Sequence, residues 1–415
     1  MRVFACIAIQ CVFAAAHAAA PPESWLITAD KIYTAPDAAP LANGAVLLRN
    51  GLIASVADER SRIALPEDTK TSECRGVVVA GFQNSHVHFM EPPFSQAATR
   101  PAAELGRALE EMLTRWGFTS AFDTTSDQAN TVALRKRVES GELRGPRIRT
   151  SGYGFFPVDG IPFYAKDIPA ELIARMHQPR SPEEARAAVR ANLANGADAT
   201  KLFLVTSPDG RSLKPMSVDI AKGAVEETHA HGKLALAHPT NLEGVRIALA
   251  AGVDVLVHTT LDDKAPWDEA TVRKMVRQHV SVMPTFQLWY DELRRDKVPE
   301  PVVESMVGRT FEQLRAFKAA DGQVLFGTDV GYTHLYDPTD EYMLMSKAGL
   351  GAMDILASLT TAPAERWNES KHRGRVQPGM AADLVVLAAD PAEDVANFAR
   401  VRCTFRNGKL IYRAP

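Results

Sequence analysis

VVVAGFQNSHVHF, Val77 to Phe89, is the stretch on which the reading of this chain turns. An apolar, β-branched run leads into two histidines separated by one residue. On an extended strand the side chains at i and i+2 point to the same side, so His86 and His88 can converge on one ion. If this run opens a repeating unit, further short apolar runs should follow at helical distances. They do, at 117–122, 147–151, 200–205, 234–237, 253–257, 281–286 and 324–327, and with 77–82 they make eight. Helical patterns such as 181–195 and 217–231 lie between them. Ser181-Pro182-Glu183-Glu184 reads as a helix start, with serine as N-cap and proline in the first turn. Eight βα units over residues 81–366 predict a TIM-type (β/α)8 barrel. A doubly wound open sheet would be favoured by a glycine-rich phosphate fingerprint after the first strand, and none is present.

Working outward, both ends read as short strands. Trp25 to Tyr33 is one, and Asn50-Gly51 sits between two apolar runs as a tight hairpin signal. Near the other end, Asn407-Gly408 repeats the pattern and 383–388 is a further strand. The expectation is an α/β chain with a small composite β-domain, 21–80 and 367–415, around the barrel. Cys74 and Cys403 fall one in each half of it. They either staple the two ends in an oxidising compartment or remain free buried thiols.

Residues 1–20 have the layout of a signal peptide: Arg2, an apolar run from Val3, and Ala16-His17-Ala18 as a small-x-small cleavage site. Cleavage near Ala18 or Ala20 would give an exported protein, periplasmic or secreted. The mature chain then has no membrane span. A net charge of −3 without basic or acidic runs argues against nucleic acid as a partner. A small-molecule substrate fits better, and a homo-oligomer is compatible.

In a TIM-type barrel the chemistry sits at the C-terminal strand ends. Metal-ligand residue types recur there: His86 and His88 after the first strand, Lys201 in the fourth, His238 and His258 closing the fifth and sixth, and Asp329 closing the eighth. Taken singly, each has a plainer explanation. His229-Ala230-His231 is an internal control, because it has the same spacing but ends a helical pattern and belongs to the opposite face. Lys201 in an apolar strand must find a carboxylate, lose its charge, or react with CO2 to give an anionic carbamate able to bridge two cations. Imidazole and carboxylate donors suit zinc. Asp329 could be a ligand only, or could also accept a proton.

The segments around His86 and His88, Lys201, His238-Pro239, His258-Thr259 and Gly327-Thr328-Asp329 resemble the amidohydrolase superfamily, as does Pro378 to Leu387 in the tail. The resemblance covers nearly the whole mature chain and is nearest to the imidazolonepropionase-like and Xaa-Pro dipeptidase-like branch. It implies two divalent ions, with His86, His88 and Asp329 on one, His238 and His258 on the other, and carboxylated Lys201 bridging them. Lys201 and an exported location both count against imidazolonepropionase activity itself. The function expected is hydrolysis of an amide or peptide C–N bond in an N-acyl amino acid or dipeptide by metal-activated hydroxide, with Asp329 catalytic. Ester, lactone or phosphotriester hydrolysis is the alternative on the same ligands, and a non-catalytic metal-binding protein is a remote one. Substrate contacts are expected from loops after the third, seventh and eighth strands, at Tyr153, Phe155, Gln287, Trp289, Tyr332 and His334.

Overall fold

The structure, a computed structural model, describes residues 24–415. The expected signal peptide lies outside the described residues. The barrel strands are β1 (Phe82–Val87), β2 (Phe118–Asp123), β3 (Arg147–Thr150), β4 (Ala199–Phe203), β5 (Leu234–His238), β6 (Val255–Val257), β7 (Ser281–Met283) and β8 (Gln323–Val324). All adjacent pairs run parallel, in two arcs of three and five strands. Loop hydrogen bonds close the arcs into a barrel. Ser85 N–H donates to Phe326 O at 2.8 Å and His88 N–H to Val330 O at 2.7 Å on one side. Asp198 N–H donates to Thr150 O at 2.7 Å on the other.

Alternation along these strands separates two cores. Ala199, Leu236, Val255, Val257, Met283 and Leu325 fill the barrel lumen together with Phe122. Their neighbours Leu202, Ala235, Ala237, Leu256, Val282 and Phe326 belong to the larger core that includes the helices. The helix Pro182–Ala194 starts as its sequence predicts, with the Ser181 side chain accepting the Glu184 N–H.

The terminal segments build two sheets, one of four strands (Leu52–Ala57, Ala45–Arg49, Ser24–Thr28, Thr69–Thr71) and one of six that joins both ends of the chain. The six run in the order Lys409–Arg413, Val401–Arg406, Leu384–Leu387, Val77–Ala80, Lys31–Ile32, Leu41–Ala42. Both expected hairpins are present. Asn50 and Gly51 have φ of 54° and 78°, and Asn407 and Gly408 have 47° and 72°, the left-handed pairs that a two-residue hairpin turn requires. Cys74 and Cys403 form a disulfide with Cα atoms 6.2 Å apart.

Two expected strands are corrected. The run 77–82 is not the first barrel strand. Val77–Ala80 pairs with Leu384–Leu387 in the terminal sheet, and the barrel strand begins at Phe82. The chain passes from one sheet to the other at Gly81, whose N–H bonds Asp383 O at 2.8 Å. Trp25 to Tyr33 likewise divides: Ser24–Thr28 pairs with Ala45–Arg49 and Lys31–Ile32 with Val77 and Val78. Continuous hydrophobicity does not reveal a change of partner sheet, because both parts are buried.

Candidate metal centre at the barrel mouth

β1 ends by placing two imidazoles side by side. His86 Nε2 and His88 Nε2 are 3.2 Å apart, and Asp329 Oδ1 lies 3.2 Å and 2.8 Å from them. These three buried residues form a group that could hold a metal ion. Asp329 reaches them because the chain after β8 folds back over β1. Its N–H donates to His86 O at 2.9 Å, and it adopts φ 60°. Gly331 follows at φ 96°, where an added Cβ would lie 1.8 Å from His88 O. Only glycine permits this approach.

His258 shows how far the tertiary structure departs from simple alternation. Val255 and Val257 already face the lumen, so regular pleating would turn His258 outward. Its φ of 86° reorients it. The ring comes to 4.8 Å from His86 and 4.7 Å from His238, with Nε2 3.7 Å from Asp329 Oδ2. A non-glycine residue held there is strained, which is common at functional sites. Its Nδ1 lies 2.6 Å from Thr285 Oγ1. The Thr285 hydroxyl spends its one proton on Pro284 O, 2.8 Å away, so it accepts from His258 and fixes the proton on Nδ1. The Nε2 lone pair is thereby left for a cation. Similarly, His88 Nδ1 donates to Thr125 O at 2.6 Å.

Lys201 from β4 is 1% exposed, has its Nζ 5.2 Å from the Phe203 ring centroid, and has no ion-pair partner among the described residues. Burial lowers its pKa to about 7, against the opposing charges of Asp329 and Asp123. Burial and then the Lys201 charge bring His238 down to about 3. Burial chiefly holds His86 and His258 well below the usual histidine range. These three imidazoles are thus neutral, as cation ligands must be. His86 Nδ1 and Asp329 Oδ1 are buried without a hydrogen-bond partner. Neutral nitrogen donors and a carboxylate with one orphaned oxygen fit a cation between them. His229 and His231 end the helix Val218–Ala230 and are exposed, with His229 bonded to Asp254.

The loop residues expected at the substrate divide. The Trp289 ring lies tilted 5.3 Å from that of His258, and Tyr332 follows Asp329 closely, its N–H donating to Asp329 O at 3.2 Å. Gln287 is buried beside them, with Nε2 on Asp337 O at 3.1 Å. Phe155 is wholly buried with its ring 4.7 Å from His177, and its N–H donates to Lys201 O at 2.9 Å. Tyr153 bonds Asp127 at 2.9 Å and Arg175 at 3.0 Å. His334 has an 81% exposed side chain that bonds Glu91. These two are held by side chains of other segments, Tyr153 by Asp127 and Arg175 and His334 by Glu91.

Several residues escaped the sequence reading. Asp123 ends β2 fully buried and accepts from Ser126 at 2.5 Å and Thr150 at 2.8 Å. Burial raises its pKa against those bonds and the nearby His88. The strand-end rule applied to β2 would have found it. Glu292, on the helix Phe286–Arg295, accepts from Tyr332 Oη at 2.8 Å. Burial pushes it up to about 7, with Asp329 adding to the rise. Nothing in its local sequence signals this.

The family model described as "Amidohydrolase family" matches residues 77–411. Ochratoxinase from Aspergillus niger is 23% identical, over 91% of this chain and 85% of that protein. A Xaa-Pro dipeptidase with methionine bound in its active site superposes with a TM-score of 0.78 at 21% identity, over 94% of this chain and 100% of that one. A prolidase complexed with N-methylphosphonate-L-proline gives 0.78 at 25% identity over the same shares.

Proposed function

The chain belongs to the amidohydrolase family, and on that footing we propose that it is a binuclear hydrolase cleaving the amide C–N bond of a small substrate, an N-acyl amino acid or a dipeptide of the Xaa-Pro kind. Its type, a metal-dependent hydrolase, follows from the family and the His86, His88, Asp329 group. The finer reading is carried by Lys201, a buried amine with no carboxylate ion pair among the described residues, set among four histidines and an aspartate. An ammonium there would repel cations. The neutral amine can instead bond the carbon of CO2 and release a proton, giving a carbamate anion. His86, His88 and Asp329 would then hold one divalent ion, His238 and His258 the other, and the carbamate both, with zinc matching the donor set. Bound ions supply Lewis acidity, lowering the pKa of water and polarising the scissile carbonyl.

The chain's own residues do the rest. An Asp329 carboxylate oxygen accepts a proton from the attacking water and returns it to the leaving nitrogen. Thr285 and the Thr125 carbonyl hold the rings of His258 and His88 in place. Trp289 and Tyr332 give the mouth aromatic walls suited to an apolar acyl or amino-acid group. The relatives named for prolidase, Xaa-Pro dipeptidase and ochratoxinase activity support an amide over an ester. Export is part of the proposal, supported by the 1–20 leader pattern and the Cys74–Cys403 disulfide.

The test is metal counting joined to a substrate panel. Protein reconstituted with zinc and bicarbonate should hold two ions per chain, Lys201→Arg should hold one or none, and N-acyl amino acids or Xaa-Pro dipeptides should be turned over. One ion in both proteins would remove the bridging carbamate. Turnover confined to lactones or phosphotriesters would replace the amide reading.

A further inference from the structure

We propose that Glu292 and Tyr332 form a subsite for a flexible cationic group, the alkylammonium or guanidinium side chain of a substrate amino acid. The inference rests on the amide-hydrolase reading and goes beyond it by naming the charge of the amino-acid side chain. Glu292 sits one helical turn after Trp289 on Phe286–Arg295, and residues three apart share a helix face. The Trp289 ring is 5.3 Å from that of His258, so Glu292 stands on the helix face that is turned toward the metal-type histidines. Tyr332 fixes the span. Its backbone is bonded to Asp329 and its hydroxyl to Glu292 Oε1, so the carboxylate is one tyrosine side chain away from Asp329. A lysine or arginine side chain extends over a comparable length from the bond to be cleaved.

The charge of the region agrees. The resident Arg295 lies over the Tyr332 ring at 5.8 Å and approaches Glu292 only to 3.7 Å, but it is half exposed and lies closer to Asp291, at 3.3 Å, so a substrate cation would take its place. Asp291 and Glu292 share this one guanidinium, so Glu292 is not neutralised by a close ion pair of its own. Glu292 is partly buried, with a quarter of its side chain exposed, and burial opposes its ionisation. A cation arriving there would restore the charged form. The Tyr164 ring, 5.9 Å from that of Tyr332, adds a second aromatic face for a cation.

Binding of free arginine and of citrulline, its neutral isostere, to the metal-loaded full chain tests this by calorimetry. Arginine should bind roughly tenfold more tightly, a difference of ~1.4 kcal/mol, and the ratio should fall to about one in Glu292→Gln. Equal affinities in the wild type, a ratio unchanged by Glu292→Gln, or no binding of either ligand would each overturn the proposal. The readout needs no turnover, so loss of the amide-hydrolase reading and loss of this subsite are seen separately. Thermal melting of Glu292→Gln should match the wild type, which distinguishes lost recognition from lost folding.

Discussion

Replacing Thr285 with valine tests the second contact behind a candidate ligand. Valine keeps the β-branched shape and so leaves the strain at φ 49° unchanged, but it removes the hydroxyl 2.6 Å from His258 Nδ1. That nitrogen is then a buried donor without a partner, at a residue 3% exposed. An unsatisfied buried donor costs about 1–3 kcal/mol. At ~1.4 kcal/mol per decade, that is about one to two powers of ten. The cost is relieved if the proton moves to Nε2, which then can no longer ligate. Cation binding must then restore the unsatisfied Nδ1–H tautomer, so affinity should fall by about tenfold to a hundredfold, the range usual for such outer contacts. Competition with a chromophoric chelator measures it, and Thr285→Ser, which keeps the hydroxyl, should stay near the wild type. A valine variant binding zinc within about threefold of the wild type would refute the tautomer argument.

Asp329→Asn should keep bound metal and lose nearly all turnover, by about two to four powers of ten; wild-type-like rates by initial-velocity assay would deny Asp329 its proton-transfer role. In metal-free protein, His238 has a folded pKa near 3 against about 6.5 unfolded. Between those values only the unfolded chain holds the proton, so stability falls as pH falls from about 6.5 toward 3. Denaturant melts of His238→Gln across pH 4–6 should show a slope shallower by ~1.4 kcal/mol per pH unit, and parallel slopes would contradict the burial assigned to this ring. Cys403→Ser should lower stability by about 2–4 kcal/mol, seen as a drop in Tm that reducing agent reproduces in the wild type. A Tm insensitive to both would mean the terminal sheet holds without its staple.

The periodic layout was legible because it depends on local chemistry. Short β-branched runs, capped helices and two Asn-Gly turns carry their geometry within a few residues, and Ser181, Asn50 and Asn407 behave as local rules require. The metal-type residues were legible because a barrel brings its strand ends to one rim. His229 and His231 could be set aside on the same ground. The sequence by itself also left Cys74 and Cys403 open, since pairing depends on two segments 329 residues apart.

What only the tertiary structure decided lies in contacts between segments far apart in the chain. Val77–Ala80 reads like a barrel strand, yet it joins the terminal sheet because its partner, Leu384–Leu387, arrives from the other end. Phe155 reads like a loop aromatic, yet it is buried in the core. His258 faces the centre through a left-handed backbone that alternation would not give, and it is held there by a threonine 27 residues away. Glu292 gains its place from Tyr332, 40 residues on. Side-chain periodicity is set by neighbouring dihedrals and can be read along a chain. The direction of a strained residue and the partner of a buried polar atom are set by whatever the fold packs against them.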